Sequence, residues 1–368
     1  MAGPPPGTPY HRMARTARFR WWTPLLAVVA AIALYLLVQI PLGLTAKLIA
    51  IFSGAPLETE AFFDSPIPDL AVDLVILAMM IPVAMFIARF VQWRRIGTLA
   101  SVEGRMRWSW LLVCVGVAVV AVAVSFEYLF AVFGVTEPGQ PTLGPWVGAR
   151  EFALGMLVIV LLVPFQASAE EYALRGFLMQ AVGSYGAAPH ERAARRGAEP
   201  GREPGGIGRP VSAFLRTPVL AILISGGVFA ALHDYSAWAL ADVACFGLAM
   251  AWLTWYTGGL EAAVALHVLH NIAAFGISAY EGTLDQQGGA GSWQGLTATV
   301  LEVGLFCLVV AWLAGRRNLR RRTAAGDPAG PPAEPAAPRA PELPDRAMRS
   351  SSFQGNPPHP PDGYSGRA

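Results

Sequence analysis

The chain has 368 residues, of which 54% are hydrophobic and only 14% charged, and its formal net charge is +2. A soluble domain carries about 25% charged residues, so this composition, with its positive mean hydropathy, excludes an ordinary soluble protein. It predicts an all-α, polytopic membrane helix bundle whose first partner is the lipid bilayer, and the small net charge predicts no nucleic acid as a partner.

Taken in chain order, residues 1–20 (AGPPPGTPYHR and onward) form a basic, Pro- and Gly-rich stretch with few large apolar residues, which predicts a disordered tail. Apolar runs long enough to cross a bilayer, which takes about 20 residues, follow at about 22–50, 70–93, 108–134, 150–182, 217–234, 238–256, 260–279 and 295–315. The first is long and lacks the small-residue pattern of a cleaved signal, so it is expected to stay as an anchor. Residues 21–148 then make an N-terminal group of spans and 149–279 a helical core, interrupted by an arginine-rich loop at 183–210 that predicts disorder. Residues 280–322 hold the last span with its basic flank, and 323–368 form a Pro-rich tail, also predicted to be disordered. Cys114, Cys245 and Cys307 all lie inside apolar runs, where a small packing role is expected rather than a disulfide framework or a metal knuckle.

Charge orients the bundle. Arg12, Arg15, Arg18 and Arg20 precede the first run, Arg94, Arg95, Arg105 and Arg107 fill the second connection, six arginines fill the 183–216 loop, and Arg316, Arg317 and Arg320 to Arg322 follow the last run. The alternate connections carry Glu58, Glu60, Asp64, Asp69, Glu137, Glu281 and Asp285. An even number of spans with both termini cytoplasmic places every arginine-rich connection inside.

Three constellations of ionisable side chains interrupt these apolar runs: Glu170 and Glu171 with Arg175, Phe229 with His233, and His267 with Asn271. A charge in the middle of a membrane helix costs about 2.5–3.5 kcal/mol on insertion scales, so such groups mark function. Each pair is spaced by four residues, which shares one helix face. Glu171 therefore pairs with Arg175, and Glu170, about 100° away, is left to meet water, a metal or a substrate. One carboxylate, two imidazoles and an amide are the parts of a hydrolytic site. Glu170, His233 and His267 are equally a zinc ligand set with an open position. Asp73, Glu127, Asp242 and Glu302 are expected to be structural, Phe229 to be core, and His270 to support its neighbours. One tension is visible in advance. Counted from Arg216, His233 lies about 25 Å along its helix, whereas Glu170 is expected nearer the cytoplasmic end of its own, so the fifth span is steeply tilted or the local topology differs. A kink at Pro164 would help.

Residues 170–176 (EEYALRG), 229–233 (FAALH) and 257–271 (TGGLEAAVALHVLHN) resemble the EExxxR, FxxxH and HxxxN signatures of the CPBP intramembrane protease family, over roughly Ala149 to Ala279. That family includes the type II CAAX prenyl endopeptidases and bacteriocin-processing or immunity membrane proteins. The resemblance implies an intramembrane endopeptidase acting on a membrane-associated peptide or protein. Glu170 and His233 would activate water, His267 and Asn271 would stabilise the tetrahedral intermediate, and Glu171 and Arg175 would support them. Both zinc-dependent and metal-free mechanisms are compatible with it, and Asn271, rarely a zinc ligand and suited to donating to an oxyanion, favours the metal-free form. The alternatives are a catalytically silent immunity or scaffold protein of the same fold, and a transporter, for which inverted repeats are not apparent.

Overall fold

The computed structural model describes residues 3–55, 61–188, 208–286 and 288–324. Among the described residues all of the regular structure is helical apart from isolated bridges. The helices are α1 (Thr23–Phe52), α2 (Pro66–Ala78), α3 (Met80–Phe90), α4 (Trp108–Thr136), α5 (Ala149–Glu171), α6 (Met179–Gly183), α7 (Gly208–Leu215), α8 (Val219–Ala231), α9 (Ala237–Thr257), α10 (Glu261–Glu281) and α11 (Trp293–Arg316). A π-helical turn, Tyr172–Leu178, joins α5 to α6. α2 and α3 together make one span, as do α5 and α6.

Seven of the resulting helices are long and apolar enough to cross a membrane, and the pair α7 and α8, bent by 51°, makes an eighth if it counts as one span. The protein is an integral membrane protein of helical architecture, as its composition predicts. Backbone hydrogen bonding explains why the helices dominate: in lipid each N–H and C=O must be satisfied within its own segment. The two described ends of the chain decide between seven and eight. Gly7 N–H donates to Thr323 C=O at 2.9 Å and Thr323 N–H to Thr8 C=O at 3.1 Å, so both ends lie on one face, and only an even number of crossings allows that.

α10 sits at the centre, flanked by α4 and α5, while α9 packs between α8 and α11. Trp110, Cys114 and Ala118 of α4, Phe246 and Met250 of α9, Leu266 of α10 and Phe306 of α11 form the largest apolar core. α1 is almost wholly exposed, consistent with a lipid-facing helix at the edge, touching α2, α3 and α6. Where α8 crosses α9, small residues bring the backbones together. A Cβ on Gly247 would meet the Phe229 ring at 2.7 Å.

The N-terminal segment departs from expectation. Residues 3–20 are not a disordered tail: Tyr10, His11 and Met13 are buried, and Tyr10 Oη donates to Leu99 C=O. Arg12 donates to the carbonyls of Tyr185 and Gly186 at 2.8 Å each, and Arg15 to that of Ser184 at 2.6 Å. Low apolar content predicted disorder, but two large apolar anchors and two guanidinium groups satisfying the carbonyls after α6 are enough to pin this segment. Residues 183–188 and 208–210 are likewise ordered parts of the fold. The rest of the expected loop, 189–207, and of the expected tail, 325–368, lie outside the described residues.

Two buried basic residues brace the same face. Arg107 donates through N–H and Nε to Glu261 Oε1 and through Nη2 to Oε2 at 2.6 Å, an ion pair excluded from solvent. Arg94, fully buried, donates to Gln92, Thr98 and Gln180, and burial lowers its pKa to about 10.

Candidate functional site

Glu170 closes α5 and Glu171 ends it; the π-helical turn begins at the next residue. Such turns recur at functional sites because the extra residue per turn frees backbone groups and re-aims side chains. Here Ser225 Oγ of α8 donates to Leu174 C=O at 3.0 Å, tying the turn to its neighbour.

The two carboxylates separate as their spacing predicts. Glu171, fully buried, accepts from Arg175 Nη1 at 2.9 Å through Oε1. Arg175 also donates through Nη2 to Gly247 C=O at 3.0 Å and stacks its guanidinium 4.4 Å from the Phe229 ring centroid. The same Glu171 oxygen lies 2.8 Å from His267 Nδ1. Because that carboxylate already accepts from Arg175, the imidazole nitrogen facing it is the donor, and Nε2 is turned elsewhere. It is turned toward Glu170: His267 Nε2 is 3.6 Å from Glu170 Oε2. Glu170 is 9% exposed. Its Oε1 accepts from Gln166 Nε2 at 2.5 Å, while its Oε2 is buried with no hydrogen-bond partner.

His233 follows the end of α8 and sets its Nδ1 2.7 Å from Phe229 C=O, with its ring 4.7 Å from that of Phe229 and stacked on Tyr235 at 5.5 Å. Phe229 is thus core, as expected, but core that touches His233, His267 and Arg175 together. Asn271 Nδ2 donates to Gln166 Oε1 at 3.3 Å. Glu170, His233, His267 and Asn271 all line one cavity of about 790 Å³. The three motifs, on three separate helices, therefore converge.

The depth tension resolves through element lengths. Glu170 lies 13 residues before Gly183, the end of α6, and His233 lies 14 residues after Val219, the start of α8. At 1.5 Å per residue both are about 20 Å from the arginine-rich end of their helices. No steep tilt is required, because the broken α7 and α8 pair lets the membrane-embedded helix start at Val219.

The zinc alternative does not fit this arrangement. Among the described residues no three His, Cys, Asp or Glu side chains converge closely enough to hold a metal ion. His233 turns its Nδ1 to a carbonyl and His267 turns its own to Glu171, partners that also orient metal-bound imidazoles, so it is the spacing of the side chains and not these contacts that leaves no ligand set among the described residues.

One contributor was not singled out from sequence. Gln166 bridges Glu170 and Asn271 across α5 and α10; its i, i+4 spacing to Glu170 was the signal that could have found it. His270 does support its neighbours as expected, but through Glu302, which it meets at 2.9 Å and which also accepts from Ser125 Oγ at 2.7 Å. Nothing in either local sequence links α10 to α11 in this way.

Comparison with known proteins bears on the same stretch. Residues 150–273 match the family model described as type II CAAX prenyl endopeptidase Rce1-like. That segment of Rce1-like resemblance contains all three motifs and agrees with the family read from them. A curated protein of Bacillus subtilis (strain 168), described as uncharacterized protein YyaK, is 24% identical over 221 residues. The match covers 58% of this chain and 62% of that relative, so it spans less than two thirds of the relative's length. No solved structure matches the chain.

Proposed function

We propose that the protein is an intramembrane endopeptidase that hydrolyses a peptide bond in a membrane-associated peptide or protein, with Glu170 as the base that activates water. The observation that carries this reading is the unpartnered Glu170 Oε2, buried on the cavity wall 3.6 Å from His267 Nε2. A buried carboxylate oxygen with no partner costs free energy, and a site retains such a group where a substrate or a water completes it.

In this reading a water molecule donates to Glu170 Oε2, with His233 offering its second ring nitrogen to the same water. As the water oxygen bonds to the scissile carbonyl carbon, its proton passes to Glu170. The carbonyl oxygen gains charge and is met by the second amide proton of Asn271 Nδ2, while His267, its Nδ1–H held by Glu171, fixes the wall beside it. The C–N bond then breaks and Glu170 returns its proton to the leaving amine. Glu171 and Arg175 act as positioning residues, and no step is routed through a metal, because the donor set does not close on one.

The test is cleavage of a membrane-embedded peptide library by the full-length protein in lipid nanodiscs, read by mass spectrometry, with Glu170→Gln as the control. Products made by wild type and absent from the variant support the proposal. A folded wild-type protein that cleaves nothing, or an equally active Glu170→Gln protein, overturns it.

A further inference from the structure

We propose that the cavity receives a cationic peptide segment, presented from the arginine-poor face of the membrane. The proposal rests on the peptidase reading for the cleavage step, but its binding step stands on separate observations.

The first is where the cavity leads. Its floor is Glu170, His267 and Leu174, all buried. Its rim includes Asp234, Tyr235, Gln286 and Gly288, which are exposed and belong to the connections after α8 and α10. Those connections lie at the ends of helices opposite to Arg94, Arg107 and Arg320 to Arg322. Toward the arginine-rich face the way is filled. Tyr10 and Met13 pack with Val102, Leu260 and Val264 there, and the Arg107–Glu261 pair closes the start of α4 and α10. A substrate reaching Glu170 from that side would have to displace the N-terminal segment.

The second is charge. Asp73, Glu170, Asp234 and Asp242 line the cavity, and among the described residues no lysine or arginine does. Arg175 lies behind the wall and is neutralised by Glu171. Lys47, near the same end of α1, donates to Ala61 C=O at 2.8 Å and is not among the lining residues. The imidazoles of His233, His267 and His270 also face the cavity; each is held by an acceptor of its own, namely Phe229 C=O, Glu171 and Glu302. In a low-dielectric cleft like charges focus the field and raise the local concentration of an oppositely charged ligand. Acidic residues alone would not make a site. The unpartnered Glu170 oxygen at the floor, and a volume within the range of about 300–1,000 Å³ typical of ligand sites, point independently to an occupant.

The probe is a pair of membrane-impermeant fluorescent peptides, identical except that four Lys in one are Glu in the other. They are titrated against full-length Glu170→Gln protein in nanodiscs of neutral lipid, so that neither hydrolysis nor lipid charge contributes. The Lys peptide should bind at least about tenfold more tightly at low salt, with the gap closing near 1 M salt, where the screening length falls to about 3 Å. Asp234→Asn and Asp242→Asn should each weaken the Lys peptide by about fivefold, as expected for one elementary charge at close range in a partly desolvated cleft, and leave the Glu peptide no weaker. In sealed vesicles, Tyr235→Cys in a background lacking the native cysteines should be protected from an impermeant maleimide by the Lys peptide. That protection should appear only when both are added on the arginine-poor side.

Equal binding of the two peptides, a Lys preference untouched by both substitutions, or protection from the arginine-rich side overturns the proposal. The two readings fail separately. Lys-selective, Asp-dependent binding without cleavage by wild type would sink the peptidase and leave this site standing, whereas cleavage indifferent to charge would do the reverse.

Discussion

Glu171 Oε1 serves Arg175 and His267 at once, and this shared oxygen separates the two adjacent carboxylates more sharply than their spacing could. Removing it by Glu171→Ala leaves a fully buried guanidinium with no counter-charge, a loss of about 3–5 kcal/mol. The expected outcome is a protein that aggregates or melts well below wild type in a thermal shift assay. Glu170→Gln preserves the acceptor for Gln166 Nε2 and should melt as wild type while losing hydrolysis. Gln166→Leu makes a third case. It strands Glu170 Oε1 and the Asn271 amide, each unsatisfied buried group costing about 1–3 kcal/mol, and frees Asn271 to move. A shift of about 1 Å at the oxyanion position is enough for roughly 10²-fold in kcat, with KM little changed, and retention of wild-type kcat would remove Gln166 from the site. The motif residues were legible in the sequence because each pair is local, four residues apart on one face. The Glu171–His267 and His270–Glu302 links were not, because they join different helices and depend on their rotation.

At the scale of elements, the eight apolar runs place every span within a few residues, since length and hydropathy are what a bilayer demands. Two local features escaped that logic. The π-helical turn at Tyr172–Leu178 has no composition of its own, and the break before Val219 sets α8 at an angle to α7, a short helix that lies ahead of the apolar run at 217–234. The contact of α8 with α9 can be tested by glycine. An added Cβ at Gly247 meets Phe229 at 2.7 Å, whereas one at Gly227 meets nothing within 4 Å. Gly247→Ala should therefore cost about 1–3 kcal/mol through overpacking and disturb the ring that touches Arg175, His233 and His267. Gly227→Ala should be neutral or stabilise by up to about 1 kcal/mol, as expected for glycine in a helix. Equal melting of the two variants would show that α8 and α9 do not approach so closely. The N-terminal segment gives a pH test. Burial, together with the nearby Arg12 and Arg322, lowers the His11 pKa from 6.5 to about 4, against the opposing hydrogen bond to Arg216 C=O. A folded-state pKa below the unfolded one means that protons favour the detached state. Attachment is then unaffected above pH 6.5 and weakens as pH falls from 6.5 toward 4. Hydrogen exchange at residues 8–16 should accelerate over that window, and His11→Gln should flatten the response.

For the molecule as a whole, arginine placement and hydrogen bonding make the same argument by different routes. Arginines before α1, between α3 and α4, between α6 and α8, and after α11 all fall on connections that an even-numbered bundle puts on one side. The Thr8–Thr323 pairing, the Arg12 bonds to the segment after α6 and the Arg107 bond to Arg320 C=O physically join those connections. Charge predicts the sidedness, since arginine-rich connections are the ones expected on the cytoplasmic side. Reporters fused after residue 325 and inserted within 189–207 should therefore both report cytoplasm, and one inserted beside Glu281 should report the opposite side. The two arms carry different weight. An external 189–207 loop with a cytoplasmic C-terminus would mean that α7 and α8 do not span, leaving an odd number of crossings that the Thr8–Thr323 bonds forbid. Reversal of all three reporters would keep the fold and its cavity intact. It would turn the acidic mouth toward the cytoplasm, where a cationic segment would have to come from the cell's interior.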